Sequence, residues 1–189
     1  MAVALFERDL EIRSGRTFLE AGRERVLVID GPPGIGKTAI WRALLENARE
    51  DGYLVLASTA SSAEARLTFV GLADLLGPVA DDALVHLPTP QARALEVALL
   101  RAEAEDPSEP HAVAAGVLSA LRGLAARQPV LVAIDDIQWL DGASEEAITF
   151  AARRLSNESV RFRRAIRAAD RQCGCDWPGR GDRLPVGLA

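Results

Sequence analysis

Apolar positions along this chain fall into two periods. Three short runs are apolar almost without interruption: "RVLVID" (25–30), "YLVLAS" (53–58) and "PVLVAIDD" (129–136). Runs of that length, bounded by Gly, Pro or Asp, predict buried strands. Between them the apolar residues recur at helical spacing. "TAIWRALLENAREDG" (38–52) predicts a helix ending near Gly52, and "FVGLADLLG" (69–77) a short one stopped at Gly77-Pro78. Residues 91–105 and 111–128 predict two Ala/Leu-rich helices separated by the polar break "DPSEP". "SEEAITFAARRLS" (144–156) predicts another, with Ser144 as its N-cap. A fourth strand at "VRFRRAIRA" (160–168) is weakened by its arginines. Strands alternating with helices predict an α/β domain. Near-continuous apolar strands predict a mainly parallel sheet with helices on both faces.

Composition narrows this picture. Hydrophobic residues make up 49% of the 189-residue chain, enough to bury the core of one domain. No apolar run approaches the roughly 20 residues that span a bilayer, and "MAVALFERDLE" lacks the basic and long apolar regions of a signal peptide. The expected location is the cytoplasm, without membrane contact. Net charge is −5, which argues against a general nucleic-acid-binding surface. The charge is uneven: residues 160–189 hold seven arginines and three aspartates, so the remainder is strongly acidic. The two cysteines, Cys173 and Cys175, have no partner ligands at zinc-site spacing and read as incidental thiols.

The chemistry lies in "GPPGIGKT" (31–38), which carries the only lysine of the chain. It matches G-x-x-x-x-G-K-[ST] in full, after a predicted strand and before a predicted helix. The expected phosphate site is Gly31, Pro32, Pro33, Gly34, Ile35, Gly36, Lys37 and Thr38. Glycines let the backbone wrap an anion, and the helix start aims N–H groups and a positive dipole end at it. Lys37 suits the outer phosphates because its ammonium is a compact point charge rather than a planar fork. Thr38 supplies a hydroxyl to Mg²⁺. The complementary acids are expected at the end of another buried strand. Asp135 is read as the Mg²⁺ residue and Asp136 as the residue that orients or activates water. Asp141 is a weaker candidate that otherwise begins a D-G turn. Trp139 either packs on the core or lines a cleft. Arg167 either reaches a γ-phosphate or belongs to a basic run. Glu7, Arg8 and Asp9 read as a solvated helix start.

"LFERDLE", "VLVIDGPPGIGKTAIWRAL", "LTFVGLADLL" and "PVLVAIDDIQWLDGASEEAITFAARRL" together resemble the ATPase domain of large LuxR-type transcriptional regulators, in the STAND branch of AAA-related P-loop NTPases. The resemblance covers about residues 5–160. It implies a three-layer P-loop NTPase that binds ATP and Mg²⁺ and hydrolyses ATP slowly as a regulatory switch. It implies catalytic roles for Lys37, Asp136 and Arg167, Mg²⁺ contact by Thr38 and Asp135, and adenine contact near Phe6 to Asp9, with Arg8 among them. The relatives are several times longer and carry a helix-turn-helix, for which no pattern is found in residues 1–189. Direct DNA binding by this chain is therefore not expected, whereas self-association or contact with further C-terminal domains is. Residues 1–160 are read as the NTPase domain and 161–189 as an atypical basic tail. The fold is expected to be incomplete in its C-terminal part, through truncation, frame disruption or a fragment boundary. The alternative functions are a stand-alone P-loop kinase or NTPase, and a non-catalytic fragment.

Overall fold

The computed structural model describes residues 9–21, 26–32, 34–103, 109–155, 158–167 and 182–185. Its centre is a five-stranded sheet in which every pairing is parallel. The strands are β1 (Val26–Gly31), β2 (Leu54–Thr59), β3 (Val130–Asp135), β4 (Val160–Arg167) and β5 (Asp182–Pro185). Their spatial order is β2-β3-β4-β1-β5. The helices are α1 (Asp9–Ala21), α2 (Lys37–Glu50), α3 (Val70–Leu76), α4 (Ala80–Leu84), α5 (Thr89–Ala98), α6 (Pro110–Ala125) and α7 (Gly142–Arg154).

Strand period two divides the core into two layers. Leu27 and Ile29 of β1, with Leu131 and Ala133 of β3, face Phe18 and Leu19 of α1 and Ile40, Trp41 and Leu44 of α2. Val26 and Val28, with Val130, Val132 and Ile134, face the opposite way, onto α3 to α7. Burial on both faces explains why β1 and β3 are apolar up to the aspartates near their ends, each strand having all six residues buried.

β4 shows how topology overrides composition. It lies between β3 and β1, pairing Val160 with Val130 and Phe162 with both Val132 and Val26. Val160 and Phe162 are 0% and 2% exposed. Those two side chains fill the larger core layer, so the strand forms despite its arginines. β5 was not expected from the pattern. It is a four-residue edge strand beside β1, where Pro185 is tolerated because an edge N–H need not join a ladder.

α3 stops at Leu76 with Gly77 as its C-cap, as expected, and a 3₁₀ turn then leads into α4. Two helix boundaries differ from the sequence-based expectation. α5 stops at Ala98 rather than 105, because Leu100 turns left-handed (φ 57°). The N-cap of α7 is Asp141, not Ser144: the Asp141 side chain accepts a hydrogen bond from Ser144 N, and Ser144 lies inside the helix. Among the described residues no helix is long and apolar enough to cross a membrane.

Candidate functional site

β1 ends at the buried Gly31, and the chain turns into α2 through the loop the motif predicts. Gly34 (φ 77°) and Gly36 (φ 92°) both adopt the left-handed region. A Cβ at either position would meet no atom within 4 Å. The need for glycine there is one of backbone conformation, not of space. Gly36 is the N-cap of α2 and offers no side chain to the helix end. The first bonds into this turn run from Ala39 N and Ile40 N to Gly36 O. The N–H groups of Lys37 and Thr38 precede them, at the positive end of a 14-residue helix. Lys37 folds back over the loop, its Nζ donating to Gly31 O at 2.8 Å and to Pro32 O at 2.9 Å. An ammonium has three donors, so these two contacts do not exhaust it. The Thr38 side chain is exposed.

β3 supplies the acids. Asp135 is its last residue and only 6% exposed. Its carboxyl is held above the usual carboxylate range, first by burial and then by the negative charge of Asp136. A hydrogen bond from Asp136 N, at 3.0 Å to Asp135 Oδ1, works against that shift. So do the positive charges of Lys37 and Arg42, which sets the acid and the loop lysine within electrostatic reach of each other. Asp136 follows in the left-handed region (φ 50°, ψ 45°). This conformation is uncommon for a residue with a side chain. It ends the strand and starts a 3₁₀ turn, Ile137–Trp139. Gln138 on that turn donates from Nε2 to Asp136 Oδ1 at 2.9 Å.

The loop after β3 is fixed by side chains rather than by glycines. Asp141 is 4% exposed and accepts three backbone N–H bonds. Phe69 N and Ser144 N reach its Oδ1 at 2.9 Å each, and Gly71 N reaches its Oδ2 at 3.0 Å. Ser144 Oγ accepts from Leu72 N at 2.9 Å. The starts of α3 and α7 are thus capped by one carboxylate and one hydroxyl. Gly71 permits the close approach, since a Cβ there would collide with Leu140. Trp139 is 37% exposed and lines a recess with Ser58, Thr59, Glu64 and Asp74, so it faces a cleft rather than the core.

The structure brings the described loop residues, Lys37, Thr38, Asp135 and Asp136 to the C-terminal edge of the sheet. Pro33 and Arg8 lie outside the described residues, as do Cys173 and Cys175. Arg167 is the last residue of β4 rather than a residue after it, and its backbone lies opposite Gly31. Two residues were missed. Arg42 lies five positions after Lys37 on α2 and acts on Asp135; helical spacing from the motif was the available signal. Asp30 is a buried carboxylate (7% exposed) immediately before the loop. Its signal was a charged residue ending an apolar strand.

Comparison with known proteins agrees with this geometry. A family model described as "AAA ATPase domain" matches residues 4–163. No curated protein matches the chain. Among solved structures, the chain is similar to the ORC2 protein of Aeropyrum pernix in ADPNP–ADP complexes, at 16% identity and TM-score 0.56. That alignment covers 98% of this chain and 49% of the other. Cdc6p from Pyrobaculum aerophilum aligns at 13% identity and TM-score 0.58, covering 96% and 45%. AMPPCP-bound DnaA from Aquifex aeolicus aligns at 16% and TM-score 0.53, covering 96% and 47%. These likenesses concern the fold, and the chain spans about half the length of those structures. A parallel sheet carrying this phosphate-loop motif at the end of β1, and a family match across most of the sequence, lead to one conclusion: the chain belongs to the AAA ATPase domain family.

Proposed function

We propose that this chain binds ATP with Mg²⁺ at the Gly31–Thr38 loop, hydrolyses it slowly, and serves as the nucleotide-dependent switch module of a LuxR-type transcriptional regulator. One observation carries the reading. The Gly31–Thr38 loop joins a glycine-capped helix start, an exposed threonine and a lysine whose charge acts on the buried acid at the end of β3. Thr38 and Asp135 are the residues that would hold Mg²⁺. The donor set fits a hard cation, since both supply oxygen. Burial that disfavours the Asp135 anion is a cost that a nearby divalent charge offsets. When bound, Mg²⁺ neutralises phosphate charge.

The chain's own residues account for the rest. The loop N–H groups and the α2 dipole bind phosphate oxygens, and Lys37 turns from the loop carbonyls toward the outer phosphates. Asp136 orients a water for in-line attack and takes its proton. The water oxygen forms a bond to the γ-phosphorus as the bond to the β–γ bridging oxygen breaks, leaving ADP and phosphate. Arg167, at the end of β4, is proposed to sense the γ-phosphate, and Arg8 and Pro33 to complete the nucleotide contacts. The motifs quoted above support the LuxR-type setting, cytoplasmic location and self-association or contact with further domains. A boundary at residue 160 does not hold, because β4 (Val160–Arg167) and β5 (Asp182–Pro185) both belong to the sheet. The proposal includes no direct DNA contact by residues 1–189.

Asp136→Asn separates binding from chemistry. ATP affinity by calorimetry should be retained while phosphate release is lost. An undiminished rate would remove Asp136 from its role.

A further inference from the structure

We infer that Gln138 is a positioning residue that holds the Asp136 carboxylate in place for the hydrolytic step; the inference rests on the function proposed above. Three observations meet at this side chain. Gln138 Nε2 donates to Asp136 Oδ1 at 2.9 Å, across a single 3₁₀ turn. Asp136 occupies a left-handed backbone conformation, which glycine would adopt more readily. And Gln138 Oε1 is buried with no hydrogen-bond partner among the described residues.

The third observation follows from the first. An ionised carboxylate only accepts hydrogen bonds, so the amide must present its nitrogen to Asp136. That orientation commits the amide oxygen to the interior, where an unmet acceptor lowers stability. A methionine of similar length would fill the same space without that penalty. Strain and an orphaned acceptor, neither of which favours folding, thus coincide on one pair of residues beside the loop lysine's acid. Such features persist where a side chain must be aimed. The 3₁₀ turn is itself anchored: Ile137 is 1% exposed, and Trp139 N donates to Asp136 O at 2.9 Å. Gln138 therefore acts from a fixed platform. It touches the acid and not the reacting atoms, so its effect on turnover passes through Asp136.

The test uses Gln138→Met, which keeps length and removes the donor, and Gln138→Glu, which keeps shape and sets a second carboxyl against the first. Each is measured in the full chain for ATP hydrolysis and for ATP binding. In both variants kcat should fall between about 10- and 100-fold, as for other residues that orient a reacting group. KM and ATP affinity should stay within about twofold. A residue that merely supports the fold would lower binding and turnover together, or neither, and either result overturns the inference. A thermal-unfolding cycle of Asp136→Ala, Gln138→Met and the double variant, without nucleotide, supplies a readout independent of turnover. Non-additive melting shifts support the contact, and strictly additive shifts overturn it. If the unaltered chain binds ATP without hydrolysing it, the hydrolytic function fails. The Gln138–Asp136 contact is then still decided by the cycle.

Discussion

At the end of β1 the backbone makes the site, whereas at the end of β3 side chains from distant segments hold it. The loop 31–38 takes its shape from positive φ at Gly34 and Gly36, and Lys37 bonds only to carbonyls of its own loop among the contacts described. The segment Asp135–Asp141 depends on Asp141 and Ser144 capping both α3 and α7, with Phe69, Gly71 and Leu72 some 70 residues away in sequence. The first half can form locally once its strand and helix exist. The second half forms only when the larger core layer is assembled. The difference predicts which substitutions damage binding and which damage the fold.

The largest stability effect is expected at Asp141. Asp141→Ala strips an acceptor from three N–H groups, each costly to leave unmet, and should destabilise the chain by about 3 kcal/mol or more. Denaturant unfolding would read this, and a loss below about 1 kcal/mol would remove Asp141 from its capping role. Next comes Gly36→Ala, which forces a side chain into φ 92° and should cost about 1–2 kcal/mol. Here nucleotide affinity should suffer more than the melting temperature, the reverse of Asp141→Ala. Equal damage to both would blur the distinction between the two halves.

The smallest effect is expected at Asp135, and its sign is opposite. Its folded-state pKa lies above the unfolded value. The native state therefore holds the proton to higher pH than the unfolded state does. The raised pKa contributes stability that is fully present below the unfolded pKa and is lost as pH rises through the folded one. Asp135→Asn removes that loss, so the nucleotide-free variant should be more stable than the parent at neutral pH and equal to it in acid. Thermal melts across pH would reveal a crossing if this sign were wrong.

The same contrast explains what could be read from the sequence. The phosphate loop was legible because glycine positions and a lone lysine encode local geometry directly. Burial on both faces made β1 and β3 visible as apolar runs, and β2 was visible although it is a partly buried edge strand. β4 was faint because four of its eight residues are arginines; among its described side chains, Val160 and Phe162 are buried on either side of Arg161. β5 was invisible: Asp and Pro are poor strand formers, and pairing with β1 is what makes that segment a strand. Asp141 looked like the start of a turn, since its partners at 69 and 71 are brought to it only by the fold. Gln138 belongs to the quoted motif but had no role assigned, for a similar reason: its value depends on the left-handed turn at Asp136, which no residue type announced.

The most direct test is calorimetric titration of ATP·Mg²⁺ into the full chain and its Lys37→Ala variant, with thermal unfolding alongside. The account predicts saturable binding by the parent. At 100 times Kd the ligand should add about 2.7 kcal/mol of stability by mass action. It predicts no binding by Lys37→Ala and an unliganded melt close to that of the parent. Tight ATP binding retained by Lys37→Ala would contradict the assignment of the 31–38 loop as the phosphate site.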